Sequence, residues 1–292
     1  LLEVSAGVKI TSIQNHKLDI ANALDVSTVR ISKDLVVYNG KSYLSVEFGK
    51  KRTRDLIWDK TELKGLKIPI GRDNYENTIV WDLANHSTPH VLVCGATGSG
   101  KSVMIKSTIE YAKLAGVDKI VIFDPKYEFL SYKNDYAVNV YNEIIEIEEE
   151  MKNLVDEMNE LVKTQKQKRI LVVFDEFADA VSASRKGNEL KVYETVQVGV
   201  FAHGGAKTKR ECIGDLKSLE ENLRVLLQKG RSTGFRVISA TQRASVKVIT
   251  GDAKVNFPVQ ICFRVPKEAD SRVVLDEAGA EGLGGMGDGL IK

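Results

Sequence analysis

The eight residues from Gly95 to Ser102, GATGSGKS, constrain this chain more than any other stretch. They fit the pattern G-x-x-x-x-G-K-[ST]. Four apolar residues, Val91 to Cys94, run into them, and an apolar-periodic segment through Val103, Ile105, Ile109 and Ala112 leaves them. A buried strand, a glycine turn and a helix, in that order, present the free amides of a helix N-terminus to an anion. The glycines let the backbone curl so that N–H groups along Gly95, Ala96, Thr97, Gly98, Ser99, Gly100, Lys101 and Ser102 point at phosphate oxygens. In that setting Lys101 reaches the β- and γ-phosphates of ATP, and the Ser102 hydroxyl ligates Mg²⁺. A glycine-rich turn that matches by chance is the competing account, and the ordered strand, turn, lysine, hydroxyl and helix argue against it.

The other apolar runs are short and continuous: Lys119 to Phe123, Ile170 to Phe174, Arg236 to Ser239 and Val259 to Phe263. Continuous runs, as opposed to alternating ones, suit parallel strands covered by helices on both faces. The expected fold class is α/β, with a mainly parallel sheet that carries the P-loop. Ligands of such sheets sit beyond the carboxyl ends of the strands. There the sequence places Asp124-Pro125-Lys126, Asp175-Glu176 and Thr241-Gln242-Arg243. Between two of the strands, Ile144, Ile147, Met151, Leu154, Met158 and Leu161 recur three and four apart, which predicts a long helix. So short a repeat suits a helix on a sheet better than a coiled coil. Its acidic start and basic end match the helix dipole and read as a solvated face.

An apolar strand ending in Asp-Glu downstream of a P-loop gives Asp175 the role of holding Mg²⁺, directly or through water, and Glu176 that of orienting and polarising the attacking water, with a solvated strand-end pair of acids as the competing account. Gln242, at a neighbouring strand tip, is placed to hydrogen-bond a γ-phosphate, and a plain turn contact explains it equally well. Arg231, in QKGRSTG, fits either a solvated surface or the trans-acting arginine of a ring-shaped ATPase.

The segment from Leu1 to about Lys67, with its alternating KSYLSVEF and a short helical signal at Leu18 to Leu24, reads as a small α+β domain. Ile68 to Leu83 reads as two strands around a polar turn. The expected boundary near Lys67 divides the chain into residues 1–67 and 68–292. No apolar run approaches membrane-spanning length, and the start of the chain does not resemble a signal peptide. The net charge of +2 excludes a generally basic surface, so any nucleic-acid contact must come from local loops. Three widely spaced cysteines, Cys94, Cys212 and Cys262, read as buried small hydrophobes in a reducing, cytoplasmic setting. His86 and His90 flank Pro89, which argues against a helical His pair for a metal.

The segments DPK (Asp124 to Lys126), VVFDEFAD (Val172 to Asp179), QKGRSTGFRVISATQRASVKVITGDAKVNFP (Gln228 to Pro258) and FRVPKEADSRVVLDEAGAEGLGGMGD (Phe263 to Asp288) resemble the motor domain of the FtsK/SpoIIIE family of DNA translocases. The N-terminal SAGVKI and GKSYLSVEF resemble that family's small α domain. The resemblance implies a RecA-like P-loop NTPase domain in a homohexameric ring that threads double-stranded DNA while hydrolysing ATP, in tasks such as chromosome partition. It places the family's nucleotide residues on Lys101, Ser102, Asp175 and Glu176, its trans-acting arginine on Arg231, and its DNA-contacting residues on Arg243, Lys254 and Arg272. A further family lysine falls on Glu268, beside Lys267. The stretch around residues 185–222 is an insert of about thirty residues, beyond any ordinary connection, and its KVYETVQVGVFA and HGGAKTKRECIG read as two strands. Lys207, Lys209 and Arg210 fall near the tip of that hairpin. A membrane tether or a DNA-reading domain, present in many family members, would lie outside this chain. The same engine serves protein export in type VII secretion, which is the nearest alternative. A nucleotide-controlled scaffold without turnover is a third, against which Glu176 and Arg231 argue.

Overall fold

The computed structural model describes residues 1–4, 7–26, 29–48, 56–200, 206–244 and 254–292. The N-terminal part pairs β1 (Leu2–Glu3), β2 (Val29–Tyr38) and β3 (Lys41–Phe48) in an antiparallel sheet of order β1-β3-β2. Two short helices, α1 (Ile10–Asn15) and α2 (Lys17–Ala23), precede β2. Arg30 of β2 reaches across to Glu277 at 2.6 Å, which ties this sheet to the C-terminal part of the chain.

The hairpin of β4 (Lys67–Arg72) and β5 (Thr78–Asp82) leads into β6 (His90–Cys94) and α3 (Lys101–Leu114). Next come β7 (Lys119–Phe123), β8 (Val138–Tyr141), α4 (Ile144–Thr164), β9 (Ile170–Phe174) and α5 (Phe177–Ala183). An antiparallel ribbon, β10 (Lys191–Val200) with β11 (Ala206–Asp215), interrupts the α/β alternation. The chain then forms α6 (Leu219–Lys229), β12 (Phe235–Thr241), β13 (Val259–Phe263), α7 (Glu268–Leu275) and β14 (Gly289–Ile291).

The central sheet runs β14-β13-β6-β12-β9-β7-β8. Every pairing in it is parallel except that of β14 with β13. All five residues of β6 and β9 and all seven of β12 are buried. One face is covered by α4, α5 and α6, through Ile147, Met151, Leu154, Met158, Leu223 and Leu226. The other face is covered by α3 and the β4–β5 hairpin, through Ile105, Ile109, Ile68 and Trp81. Two-sided burial is why the strands lack alternation: both side-chain directions meet a helix or hairpin.

Sequence patterning does not identify the edge strands β8 and β14, at four and three residues, because so few positions carry no period. Strand β12 extends to Thr241, so Thr241 belongs to the sheet and not to the loop beyond it. The solvated acidic face expected of α4 is corrected at two positions. Glu148 and Glu150 are 7% and 8% exposed. Glu148 accepts from the Arg185 backbone N–H at 2.7 Å and pairs with its guanidinium, while Glu150 pairs with Lys119 at 2.9 Å. Long-range cations are invisible to a helical wheel. Cys94 and Cys262 are buried, facing each other across β6 and β13, whereas Cys212 on β11 is exposed, contrary to expectation. A two-stranded ribbon leaves one face to solvent, so alternation in β11 does not imply burial. No helix among the described residues is long and apolar enough to cross a membrane.

His90, fully buried at the start of β6, has both ring nitrogens engaged. Nδ1 accepts from the Val237 N–H at 3.1 Å, and Nε2–H donates to the Leu227 carbonyl at 3.0 Å. Burial drives its pKa down to about 4, against the Leu227 bond and with help from the Arg236 charge. The unfolded chain binds this proton near pH 6.5 and the folded chain does not, so stability falls with pH between about 6.5 and 4. Denaturant unfolding at pH 5 should show about 2 kcal/mol less stability than at pH 7 from this group alone, and His90→Gln should remove that part of the slope. A slope unchanged in His90→Gln would show that the ring already protonates within the fold.

A candidate nucleotide site at the strand ends

The loop from Gly95 to Ser102 leaves the carboxyl end of β6 and enters α3 at Lys101. Backbone bonds fix its base: Gly95 N–H donates to Thr241 O at 3.3 Å, Ala96 N–H to Arg264 O at 2.9 Å, and Gly287 N–H to Ser99 O at 2.7 Å. Gly100 sits at φ +108, and a Cβ there would lie 2.4 Å from the Gly287 nitrogen. Only glycine fits, because the 284–288 loop packs directly on the turn.

Lys101 and Asp175 form a buried pair, Nζ to Oδ1 at 2.6 Å, with exposures of 3% and 0%. Burial raises the Asp175 pKa, Lys101 opposes that, and the Glu128 and Glu176 charges add to it. The second oxygen, Asp175 Oδ2, is buried without a hydrogen-bond partner, as is the Ser99 hydroxyl. Buried polar atoms are normally satisfied, so these two call for a further group in the turn. Ser102 donates its hydroxyl to Glu128 Oε2 at 2.6 Å.

A free carboxylate oxygen on Asp175 and the hydroxyl of Ser102 are hard oxygen donors that suit Mg²⁺. Among the described residues no cluster of three or more His, Cys, Asp or Glu makes a self-contained metal cage. Such a cation would therefore depend on phosphate oxygens and water for the rest of its shell.

Glu176 is also fully buried. It caps the start of α5 at φ +48, a left-handed conformation that turns its carboxylate back over the strand ends. Thr241 donates its hydroxyl to Oε1 at 2.8 Å, and Gln242 N–H lies 3.1 and 3.0 Å from the two oxygens. Thr97 of the P-loop donates to Gln242 Oε1 at 3.1 Å. The fold thus brings together Thr97, Lys101, Ser102, Asp175, Glu176 and Gln242, which the sequence spreads over nearly half its length.

Arg231 lies elsewhere, in a 3-10 turn ahead of β12 and so at the opposite edge of the sheet. Seven residues of β12, at about 3.3 Å each, put it about 23 Å from its own strand ends. Its carbonyl accepts from His86 and Arg236. No carboxylate among the described residues pairs with its guanidinium, and it lines an open cleft of about 550 Å³ with His86, Asn159, Gln167 and Lys229.

Of the candidate DNA contacts, Arg243 follows Gln242 directly and is 69% exposed, with Asp179 at 3.5 Å. Lys254 is 13% exposed and held by Asp276 at 2.7 Å and the Val273 carbonyl at 3.1 Å. Arg272 pairs with Glu268 at 2.6 Å. The acid at position 268 therefore engages the arginine one helical turn on. The backbone of the ribbon's Lys207, Lys209 and Arg210 lies on β11, and its tip, 201–205, falls outside the described residues.

The FtsK/SpoIIIE family model matches residues 54–187. A DNA translocase FtsK from Haemophilus influenzae is 32% identical over 99% of this chain and 59% of its own length. Another from Caldanaerobacter subterraneus subsp. tengcongensis is 32% identical over 99% of this chain and 40% of its own. The chain belongs to the FtsK/SpoIIIE family. It spans less than two thirds of these FtsK relatives. Its fold is similar to that of the conjugation coupling protein TcpA of pCW3, seen with ATPγS, at TM-score 0.67 and 24% identity, covering 98% of this chain and 79% of that one. The type VII secretion ATPase EccC of Thermomonospora curvata follows at TM-score 0.61 and 19% identity, covering 80% of this chain and 29% of that one. At such identities the likeness concerns the P-loop ATPase fold and not the substrate.

Sequence reading of this FtsK/SpoIIIE chain misses Glu128 and Asp179, and leaves Lys126 without a role. Asp124, at the end of β7, accepts from the Glu128 and Phe129 N–H groups at 3.0 and 2.8 Å, while Asn142 donates to its carbonyl at 2.7 Å. That turn, anchored by buried Asp124 and Phe129 at its two ends, aims Glu128 at Ser102. It also carries Lys126 to within 3.0 Å of Asp179 and 3.5 Å of Glu176. The DPK triplet at a strand end was the available signal for this turn.

Proposed function

We propose that this chain is the ATP-hydrolysing motor of a DNA translocase, acting on double-stranded DNA as a homohexameric ring. The observation that carries the reading is the intact set Lys101, Ser102, Asp175 and Glu176 gathered at one sheet edge, in a chain of this family. Lys101 would leave Asp175 for the β- and γ-phosphates of ATP, and Ser102 and Asp175 would hold Mg²⁺, which would supply neutralisation of phosphate charge. Glu176 accepts a proton from the attacking water as its oxygen bonds to the γ-phosphorus, and the bond from that phosphorus to the β-bridging oxygen breaks, releasing ADP and phosphate. Gln242, bonded to Thr97, sits where loss of the γ-phosphate can be felt. The distance of Arg231 from its own site supports a role in the site of an adjacent subunit, as a ring would supply. The same reading divides the chain near Lys67 into an N-terminal α+β domain and the motor.

The deciding experiment is the ATPase rate in Mg²⁺ with and without linear duplex DNA. Stimulation by DNA is expected. A chain that neither binds duplex at low salt nor is stimulated by it would move the protein-export reading ahead.

Arg243, Lys254 and Arg272 would contact phosphates and not bases, because a motor that steps along any sequence cannot depend on base edges. Arg243 is the freest of the three and should carry the largest share. Arg243→Ala should flatten the log-log salt dependence of duplex binding by about one unit, whatever the DNA sequence. The loss should be smaller for Arg272→Ala, whose charge already serves Glu268. An unchanged slope in Arg243→Ala would remove that residue from the interface.

A further inference from the structure

Between the proposed DNA contact and the proposed hydrolytic carboxylate lies an unbroken line of alternating charge. Arg243 Nε is 3.5 Å from Asp179 Oδ1, Asp179 Oδ2 is 3.0 Å from Lys126 Nζ, and Lys126 Nζ is 3.5 Å from Glu176 Oε2. Glu176 and Asp179 share the first turn of α5, whereas Lys126 comes from the turn after β7 and Arg243 from beyond the end of β12, so only the fold brings the two cations to this pair. Arg243 at one end is 69% exposed, Asp179 and Lys126 between are partly buried at 28% and 34%, and Glu176 at the other end is 0% exposed. One end is open to solvent and the other is sealed in the nucleotide site.

We propose that Asp179 and Lys126 are positioning residues that couple occupancy of Arg243 to the freedom of Glu176, resting on the DNA-motor reading above. With Arg243 beside it, Asp179 is partly neutralised, and Lys126 is shared between Asp179 and Glu176. The Lys126 ammonium, the Thr241 hydroxyl and the Gln242 N–H together hold the Glu176 carboxylate against the strand ends. Burial alone would lower the Lys126 pKa, but Asp179 and Glu176 outweigh it, so the ammonium stays charged. A DNA phosphate that draws Arg243 away leaves Asp179 with one cation in place of two. Lys126 then moves fully onto Asp179, the closer of its two carboxylates, and Glu176 loses a counter-charge that restrained it. Arg243 and Gln242 are adjacent in the chain, so the same displacement also loosens the backbone N–H on Glu176. Each end of the line biases the same element, which is what coupling between two sites requires.

The test is a comparison of basal and duplex-stimulated ATPase rates in the full chain for wild type, Asp179→Asn, Lys126→Gln and the double variant. Asp179→Asn cannot draw Lys126 off Glu176, so its ratio of stimulated to basal rate should fall at least about fivefold, the low end of ordinary couplings, while duplex binding persists. Lys126→Gln should move the other way, with a raised basal rate and little further stimulation. The double variant should behave as Lys126→Gln, since removing the cation makes the state of position 179 irrelevant, whereas independent damage would add. Lys126→Arg should restore stimulation.

An Asp179→Asn protein that binds duplex and keeps the wild-type ratio would overturn the coupling, as would a Lys126→Gln basal rate at or below wild type. A wild-type chain that hydrolyses ATP without responding to duplex would overturn the DNA reading itself, and the coupling with it. Both side chains are partly exposed, and unfolding of a variant would be seen in its melting curve before any rate is compared.

Discussion

Arg231→Ala is expected to lower steady-state turnover by about 10³- to 10⁵-fold while leaving ATP binding at a single site almost unchanged. The reason is position. Arg231 sits before β12, whereas its own P-loop lies past the other end of that seven-residue strand, so its guanidinium cannot serve its own nucleotide. It can serve a neighbour's, by stabilising charge on the γ-phosphate in the transition state. Mixing Arg231→Ala with Lys101→Ala subunits should recover part of the activity, because some junctions then pair an intact lysine with an intact arginine. No recovery in subunits shown to co-assemble would mean that the site is complete within one chain. The cleft beside Arg231 and the absence of an ion pair among the described residues leave the side chain free for that role.

The second large effect is expected at Glu176. Glu176→Gln should cut turnover by about 10²- to 10⁴-fold, the range for a lost general base, and should leave ATP bound and uncleaved. The amide keeps the shape of the carboxylate and can still accept from Thr241, so a folding defect would not explain the loss. Lys101→Ala should fail differently. It leaves Asp175 buried with neither oxygen paired, so weaker nucleotide binding should come with lower stability. Raised Asp175 pKa limits that penalty, because the unpaired carboxylate can take up a proton. Measuring nucleotide affinity and thermal stability beside the rate separates the two variants. Wild-type turnover in Glu176→Gln would remove the assignment of the water-orienting residue.

By itself the sequence determined the P-loop fold and the place of the candidate site. GATGSGKS between an apolar strand and an apolar-periodic segment dictates the P-loop, because glycine geometry and helix-terminal amides are local properties. Five continuous apolar runs dictate a parallel sheet buried on both faces, and polar residues at their ends mark the candidate site, since ligands of such sheets lie beyond the carboxyl ends of the strands. What only the tertiary structure decided is which charges meet. Lys101 rests on Asp175, Ser102 on Glu128, and Arg272 on the acid at position 268. Glu148 and Glu150 lie under Arg185 and Lys119 instead of facing water. Lys126, Asp179 and Arg243 form a line because three crossover connections bring three strand ends to one edge. Ion pairing acts across space with no preferred sequence separation, so no periodicity records it. Only the order of strands in the sheet fixes which residues become neighbours.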